Sequence, residues 1–305
     1  MVSFLLRRLL ASALTLLAIV LLSFLLMRVV PGGPFDQERA MSPEVRQALE
    51  TKYGLRDPLP VQCLRYVVGL LKGDLGPSLS QPDRSVNTIL AEGLPRSAIL
   101  GATALFIALL VGGLAGVYAA LHHNEAADYV AMGLVMLGVS IPSMVLAPLL
   151  VTLFALTLHW LPTSGWGTLG HLVLPATALG LAYAARIARL TRGGMLEVLR
   201  QDFIRTARAK GLSEAAIVRR HALRLGLGPL VSYLGPATAS ILTGSFVIEQ
   251  IFDIPGMGRH FVNAATSRDY TLALGTVIVY STFLIALNLV VDLAHALLDP
   301  RIRLE

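Results

Sequence analysis

The chain has 305 residues, of which 55% are hydrophobic and only 14% are charged, and its mean hydropathy is +0.68. These values exclude an ordinary soluble protein and indicate a membrane protein. The single cysteine excludes an internal disulfide and any metal or iron–sulfur site built from several cysteines. Because the motif G-x-x-x-x-G-K-[ST] is absent, the sequence also excludes a P-loop ATPase.

Uncharged windows predict six transmembrane helices, because about 20 apolar residues cross a bilayer core of roughly 30 Å. One crossing each is expected from residues 9–27, 97–124, 225–248 and 270–291. A further window, 129–185, is long enough for two crossings and is divided by the turn-forming stretch between Trp160 and Trp166. We expect the first window to be an uncleaved anchor rather than a signal peptide, because no small-x-small cleavage site follows it.

The distribution of basic residues predicts the orientation. Residues 186–224 carry ten basic and three acidic side chains, a local charge of +7 that exceeds the +6 of the whole chain. Basic segments face the cytoplasm, so this segment and both termini are expected there. Residues 31–96, with eight basic and eight acidic side chains, are then extracytoplasmic. Residues 122–128 would be inside, and 159–170 and 252–269 outside.

The outer segment 31–96 is expected to be helical. Ser42 is a candidate N-cap with Pro43 at the first helical position, and Gly54 ends this helix. Val61, Leu64, Val68 and Leu71 form a second apolar stripe closed by Gly73, and Ser85 caps a predicted third short helix. Two interpretations stay open: a cover for the first two spans, or a docking surface for a soluble partner.

The inner segment 191–228 predicts two short helices joined by a tight turn. Asp202 is a candidate N-cap, and Gly211 fits the left-handed position after the first helix. Ser213 then caps a second helix that runs to about Arg224. One interpretation is a basic loop that binds anionic lipid headgroups. The other is a rigid lever that docks into another protein.

The same inner segment carries a family resemblance. The stretch R-T-A-R-A-K-G at 205–211, followed after nine residues by His221, Ala222 and Leu223, resembles the signature E-A-A-x-x-x-G-x9-I-x-L-P of permease subunits of binding-protein-dependent ABC importers. It looks like the variant of the peptide and nickel branch, and the B-type subunits of oligopeptide permeases are the most similar. Arg205, Thr206 and Arg224 depart from the general signature. Other matching residues are Leu6 to Leu9, Met27 and Arg28 with Pro31 and Gly32, Gly73 to Gly76, Ile141 to Ser143, His159 to Pro162, Thr191 and Arg192 with Met195 to Leu199, Gly244 and Ser245 with Glu249, Phe252, Pro255, Gly256 and Gly258, Arg268 to Tyr270 and Asp299 to Arg301.

The resemblance implies a half-channel coupled to ATPases. The implied partners are a homologous C-type permease, two ATP-binding subunits that bind ATP and Mg, an extracytoplasmic binding protein, and peptide. In this family the signature helix lies nearly parallel to the membrane in a groove of the ATPase. Small residues at Ala207, Ala209 and Gly211 would permit close approach, and Arg205, Arg208 and Lys210 would contact acidic groups. The implied coupling residues are Arg205, Thr206, Ala207, Arg208, Ala209, Lys210, Gly211 and His221.

The expected fold is an all-α polytopic membrane protein with six transmembrane helices, similar to type I ABC importer permeases. We expect residues 1–30 to hold the N-terminus and first span, and 31–96 the outer helical segment. Residues 97–298 would form the permease core with the coupling segment 191–228, and 299–305 a cytoplasmic tail.

Polar residues inside the predicted spans are candidates for the translocation path or its gate. Their alternative role is hydrogen bonding between helices. Asp292 is expected to pair with Arg186 or Arg189. Glu249 or Asp253 either lines the outer mouth or anchors the outer loop. Pro142, Pro148 and the pair Gly235 and Pro236 predict kinks. The candidates are Ser140, Ser143, Tyr183, Ser240, Thr243, Glu249, Asn288 and Asp292.

The sequence therefore predicts a permease subunit of a peptide importer in the bacterial inner membrane. A nickel-chelate or glutathione importer of the same branch is the alternative, followed by a self-contained secondary transporter. An intramembrane enzyme is disfavoured, because no Ser–His, paired Asp or H-E-x-x-H arrangement lies in the spans. The seven histidines show no convergent metal-ligand set.

Overall fold

The computed structural model describes residues 2–29, 43–243 and 245–298, and within them the side chains other than those of 2–5, 43, 46, 242–243 and 291–298. The described chain is almost entirely helical. Its helices are α1 (Val2–Val29), α2 (Pro43–Lys52), α3 (Leu59–Leu71), α4 (Val86–Leu121), α5 (Ala126–Ser140), α6 (Ser143–Leu150), α7 (Gly170–Leu199), α8 (Asp202–Ala209), α9 (Glu214–Ile217), α10 (Leu223–Gly226), α11 (Gly228–Thr243), α12 (Phe246–Ile251), α13 (Met257–Thr266) and α14 (Tyr270–Leu298). Two π-helical segments, Val151–Thr157 and Val218–Ala222, follow α6 and α9.

Four described helices are long and apolar enough to cross a membrane. They are Leu6–Val29, Val86–Leu121, Gly170–Leu199 and Tyr270–Val290. The pair Ala126–Ser140 and Ser143–Thr157 adds a fifth if it is one span, although it bends by 103° at its break. The window 225–248 contains α11, whose 16 residues are short for a crossing. The count of six spans stays a prediction.

The break between α5 and α6 coincides with a predicted kink. Ile141 and Pro142 have extended ψ angles of 119° and 138°. Proline cannot donate a backbone hydrogen bond and disfavours the helical conformation of the residue before it, so the helix stops there. Pro148, by contrast, lies within α6, and Pro236 lies within α11.

The predicted short helix after Ser85 is not a separate element. Ser85 does act as a cap, since the Thr88 amide donates to its Oγ at 3.2 Å. The helix that begins at Val86 nevertheless continues through Pro95 to Leu121 without interruption. Membrane-inserted helices tolerate an internal proline when neighbouring groups satisfy the freed backbone, so Pro95 is no reliable boundary.

The described residues divide into two compact units. Unit 1 contains residues up to Arg96 together with Pro255–Val290, and unit 2 contains Ser97–Ile254 with the short piece Val291–His295. In unit 1, α2 and α3 match the helices expected for the outer segment, with Gly54 and Gly73 in left-handed conformations at φ +63° and +75°. The buried Asp269 carboxylate accepts hydrogen bonds from the Ser80 amide at 3.0 Å and the Leu272 amide at 3.0 Å, which caps α14.

Helix α7 is the central element of unit 2 and contacts α5, α6, α10, α11 and α12. Its buried side includes many small side chains, among them Ala184 and Ala188. A Cβ added at Gly116 of α4 would lie 2.6 Å from the carbonyl oxygen of Ala188, and one added at Gly180 would lie 2.5 Å from that of Ala104. Small residues therefore let α4 and α7 approach at backbone distance, as in many membrane helix pairs.

Candidate functional site

Helix α8, the first half of the predicted coupling segment, ends in a Schellman motif. The Leu212 amide donates to the Ala207 carbonyl at 3.2 Å, and the Gly211 amide donates to the Arg208 carbonyl at 2.9 Å. Gly211 has φ +79°, a left-handed conformation that glycine adopts without the penalty of a Cβ. The glycine of the family signature thus has a local structural reason, and the prediction for Gly211 is confirmed.

The start of α8 differs from the expectation. Gln201, not Asp202, is the N-cap residue, and it makes no side-chain capping bond. Asp202 is the first helical residue, and its exposed carboxylate lies 3.4 Å from Arg205 Nη1. Asp202 still has a favourable position, because a negative charge in the first turn interacts well with the helix dipole.

The second half of the segment begins as predicted. Ser213 Oγ accepts a hydrogen bond from the Ala216 amide at 3.4 Å and caps α9. The helix then widens into the π-helical segment Val218–Ala222 before α10 ends at Gly226. π-Helical turns are rare and are often found at functional sites.

An ion pair crosses the turn between α8 and α9. Arg208 donates from Nε to Glu214 Oε1 at 2.7 Å and from Nη2 to Oε2 at 3.2 Å, a two-point contact. This pairing raises the pKa of Arg208 and lowers that of Glu214, the hydrogen bond being the largest cause for both. The turn is therefore held by one side-chain pair in addition to its backbone bonds.

The signature residues divide into a buried and an exposed set. Ala207 is only 8% exposed and packs with Ile204 and Ile217 in a small core. Ala207 therefore fills the chain's own helix pair and does not leave space for a partner, contrary to the expectation. His221 is half-buried and stands edge-on to the Phe203 ring at 6.2 Å. The exposed members are Arg205, Thr206, Arg208, Ala209, Lys210 and Gly211.

The short helix α10 packs against α7 at a glycine crossing. A Cβ on Gly194 of α7 would overlap the carbonyl oxygen of Gly226 at the end of α10. Met195 and Ala222 are buried together with Ala120 of α4. These contacts join α10 and the π-helical segment before it to two long apolar helices.

A charged network that the sequence interpretation missed lies at the turn between α4 and α5. Asp128 is 2% exposed and accepts from Arg192 Nε at 2.8 Å and Nη2 at 2.6 Å. Its Oδ2 also accepts from the Asn124 amide at 3.1 Å. His123 lies between two arginines, with Nδ1 3.1 Å from Arg192 Nη2 and Nε2 3.1 Å from Arg200 Nη2, and its one unprotonated ring nitrogen can accept from one of them. The sequence shows only that Asp128 stands directly before the uncharged window 129–185.

Two of the predicted path residues, Tyr183 and Ser240, line one cleft. This cleft, of about 580 Å³, runs between α7 and α11 and is also lined by Arg186 and Tyr233. The Arg186 guanidinium carbon lies 5.1 Å from the centre of the Tyr233 ring, a cation–π distance. The arrangement places one cation, two phenols and hydroxyl groups at a common surface, which can bind a polar solute.

The other path candidates with described side chains do not line this cleft. Ser140 is exposed and donates to the Met136 carbonyl at 3.0 Å, and Ser143 begins α6. Glu249 is fully buried and accepts from Ser97 Oγ and Ser245 Oγ, both at 2.7 Å. Asn288 lies on α14 and is exposed. The side chains of Thr243 and Asp292, and with them the expected pair with Arg186 or Arg189, lie outside the described residues.

The chain matches protein-family models over nearly its whole length. Residues 112–304 match the binding-protein-dependent transport system inner membrane component, and residues 1–83 match the N-terminal part of such membrane components. Solved structures show the same fold at low identity. A chain of the MetNI methionine ABC transporter aligns with a TM-score of 0.59 and 18% identity, covering 69% of this chain and 96% of that one. An amino acid ABC transporter chain gives a TM-score of 0.53 at 16% identity, covering 68% and 94%.

Sequence relatives are much more similar. The oligopeptide transport system permease protein OppB of Escherichia coli strain K12 is 51% identical, covering 99% of this chain and 100% of the relative. The dipeptide transport system permease protein DppB of Bacillus subtilis strain 168 is 49% identical, covering 100% and 99%. The DppB of Lactococcus lactis is 40% identical over the full length of both chains. The chain therefore belongs to the family of binding-protein-dependent transport system inner membrane components.

Proposed function

We propose that the chain is a permease subunit of an ATP-driven peptide importer and forms half of its translocation pathway. The observation that carries this proposal is the 51% identity to an oligopeptide permease across the whole of both chains. The same observation favours peptides over nickel chelates or glutathione as the cargo.

The coupling segment is the proposed contact with an ATPase subunit. Its exposed face carries Arg205 and Lys210 beside the small residues Ala209 and Gly211, so a partner can approach closely and offer acidic groups. ATP and Mg are bound by two such partner subunits in this proposal. Closure of the ATPases moves the rigid α8–α9 pair, and the glycine crossing with α7 transmits the displacement, a hinge-type switch between packed states.

The proposed topology has six crossings with both termini in the cytoplasm. The support is the charge of +7 in residues 186–224, which favours the cytoplasmic side. Residues 31–96 are then extracytoplasmic, where a substrate-binding protein delivers peptide. A homologous C-type permease supplies the other half of the pathway.

The cleft between α7 and α11 is the proposed wall of that pathway. Tyr183, Ser240 and Arg186 present hydrogen-bond donors and one positive charge to it. A peptide carries carbonyl oxygens and a terminal carboxylate, which are the acceptors that such a surface binds.

Reconstitution in lipid vesicles tests the proposal. The chain is assembled with its C-type permease and both ATPase subunits, and uptake of a labelled peptide is measured with the binding protein outside and ATP inside. We expect uptake only when all components and ATP are present. Peptide flux through vesicles that contain this chain alone would contradict the proposal and favour a secondary transporter.

A further inference from the structure

A separate cavity of about 480 Å³ lies within unit 1 beside the ends of α1 and α14. One part of its wall is aromatic and apolar, and another part is cationic. The aromatic and apolar part includes Phe24, Met27, Tyr66, Tyr270 and Leu274, and Arg28 lies beside them.

Arg28 is a half-buried cation at this cavity. Its guanidinium carbon lies 5.4 Å from the centre of the Phe24 ring and 5.8 Å from that of Tyr270. Its one hydrogen bond to a described residue is donated by Nη2 to Gln62 Oε1. No carboxylate within residues 2–29, 43–243 and 245–298 forms a salt bridge with it. A partly buried charge is normally paired, so an anion is expected to complete this part of the cavity.

Gln62 holds the arginine in place. The buried Gln62 amide donates from Nε2 to the Leu55 carbonyl at 2.9 Å and to the Asp57 carbonyl at 2.6 Å. Both bonds fix the orientation of the side-chain amide, so its oxygen points at Arg28. An arginine braced in this way presents its remaining N–H donors in a defined geometry, which suits a phosphate or carboxylate.

Tyr66 supplies a second, independent observation. Its hydroxyl is buried and has no hydrogen-bond partner in the described part of the chain, although its ring lines the cavity and stacks near Phe24. An unsatisfied buried hydroxyl costs free energy, so it is expected to have a partner in the functional protein. A ligand oxygen in the cavity would accept a hydrogen bond from this hydroxyl.

The charge of the lining also favours an anion. Lys52 and Lys72 join Arg28 at the wall, and Asp74 is the one carboxylate among the lining residues that the structure describes. Arg65 lines the cavity too, but it is paired with Asp57. The surplus of positive charge therefore comes from Arg28 and the two lysines.

The apolar part of the wall identifies the class of anion. Phe24 and Met27 belong to the apolar segment Leu6–Val29, and Leu274 belongs to Tyr270–Val290, both long enough to cross a membrane. The cavity therefore has an apolar wall formed by these helices and a cationic end. An amphiphile needs both surfaces, one for its acyl chains and one for its charged headgroup. We propose that it binds the phosphate headgroup of an anionic phospholipid, with Arg28 and Tyr66 donating to the phosphate oxygens.

Native mass spectrometry of the intact complex with its companion subunits tests this proposal. After delipidation, the complex is given equal amounts of phosphatidylglycerol and phosphatidylcholine. We expect preferential retention of phosphatidylglycerol and an about fivefold or larger loss of that retention in Arg28→Gln, because one cation near an anionic headgroup is removed. Arg28→Lys should keep part of the preference, and Tyr66→Phe should lower retention without destabilising the protein.

Arg56→Gln is the matched control, because Arg56 pairs with Glu50 in the same unit and does not line the cavity. Equal retention in Arg28→Gln and Arg56→Gln would overturn the proposal, and so would equal retention of the two lipids. Complete displacement of the lipid by inorganic phosphate at the same concentration would also overturn it, in favour of a site for free anions. If Arg28→Gln does not assemble, retention by Tyr66→Phe equal to that of the unchanged protein overturns it.

Discussion

The turn between α8 and α9 is held at the residue scale by Gly211 and by the Arg208–Glu214 pair. Arg208 was expected to contact a partner, but its guanidinium is occupied by a carboxylate of its own chain. Both side chains are about half exposed, so solvent screens the pair and its contribution to stability is below about 1 kcal/mol. Its importance would lie in the shape of the turn rather than in overall stability.

A charge swap tests that role. We expect Glu214→Arg or Arg208→Glu alone to reduce ATP-driven peptide uptake, and the double swap to restore most of it, because the double variant rebuilds the pair. Uptake by the double variant as low as that of the singles would instead show that Arg208 acts on the partner.

The same pair has a defined pH dependence. The pKa of Glu214 is lowered by Arg208, so the unfolded chain takes up its proton at a higher pH than the folded one. The stabilisation is therefore complete above the usual Glu pKa of about 4.3 and is lost as the pH falls below it. It plays no part in any change near neutral pH.

His260 of α13 predicts a pH effect closer to neutrality. Burial is the largest cause that lowers its pKa, followed by the positive charges of Arg84, Arg259 and Arg96, while Glu92 opposes them. The unfolded state therefore binds the proton first, and stability falls as the pH drops below about 6.5, the usual His value.

Thermal unfolding in detergent at pH 7.5 and pH 5.5 checks this prediction. We expect the midpoint of the native chain to fall at pH 5.5 and that of His260→Gln to fall less. His159→Gln, which changes an exposed histidine, is the control and should behave like the native chain. An equal fall in His260→Gln and the native chain would contradict the assignment.

Local sequence patterns correctly predicted the capping roles of Ser213 and Gly211, because a helix cap depends on residues that are close in the chain. The Asp128–Arg192 bond joins residues 64 positions apart, and no local pattern pairs them. The burial of Ala207 was not predicted, because the packing of α8 on α9 was not part of the sequence argument.

At the scale of elements, α10 contacts α7 at a close crossing of two glycines. Gly194 is buried against the backbone of Gly226, whereas its neighbour Gly193 has open space where a Cβ would lie. Gly193 and Gly194 are therefore neighbouring positions of one helix at which the same substitution meets either open space or a closely packed backbone.

Alanine substitutions at these two positions should have opposite effects. Gly194→Ala forces α7 and α10 apart and should cost about 1–3 kcal/mol, the usual penalty for overpacking. Gly193→Ala should be neutral or more stable by up to about 1 kcal/mol, because alanine favours a helix over glycine. Unfolding midpoints of the purified protein measure both, and equal midpoints would contradict the close crossing.

Hydropathy windows predicted the positions of the elements better than their ends. Helices α2 and α3 lie where their apolar stripes indicated, and the predicted turn between Trp160 and Trp166 separates Val151–Thr157 from α7. The windows could not show that α4 begins at Val86, ahead of its apolar run, because charge and hydropathy report on burial in lipid rather than on helix length. The size of the bend at Pro142 was also beyond them, since proline permits many angles.

At the scale of the whole molecule, composition indicated the class of protein and the signature residues indicated the family. Composition alone indicated a membrane protein, which the apolar helices support. The family followed from residues 205–223 and was confirmed by the match over residues 112–304. A partner protein is indicated in this sequence only by exposed charged residues, and these do not identify the partner. The coupling surface therefore remains a proposal.

Site-directed cross-linking tests the central claim most directly. In the assembled importer with Cys63 replaced by serine, a cysteine is placed at Ala209 on the exposed side of α8, and another at Thr163 in the predicted outer turn. We predict that the cysteine at 209 cross-links to an ATPase subunit, with a yield that changes when ATP is added, and that the cysteine at 163 does not. Reaction of position 209 only with lipid or water-soluble reagents, while the ATPase is present and active, would contradict the account.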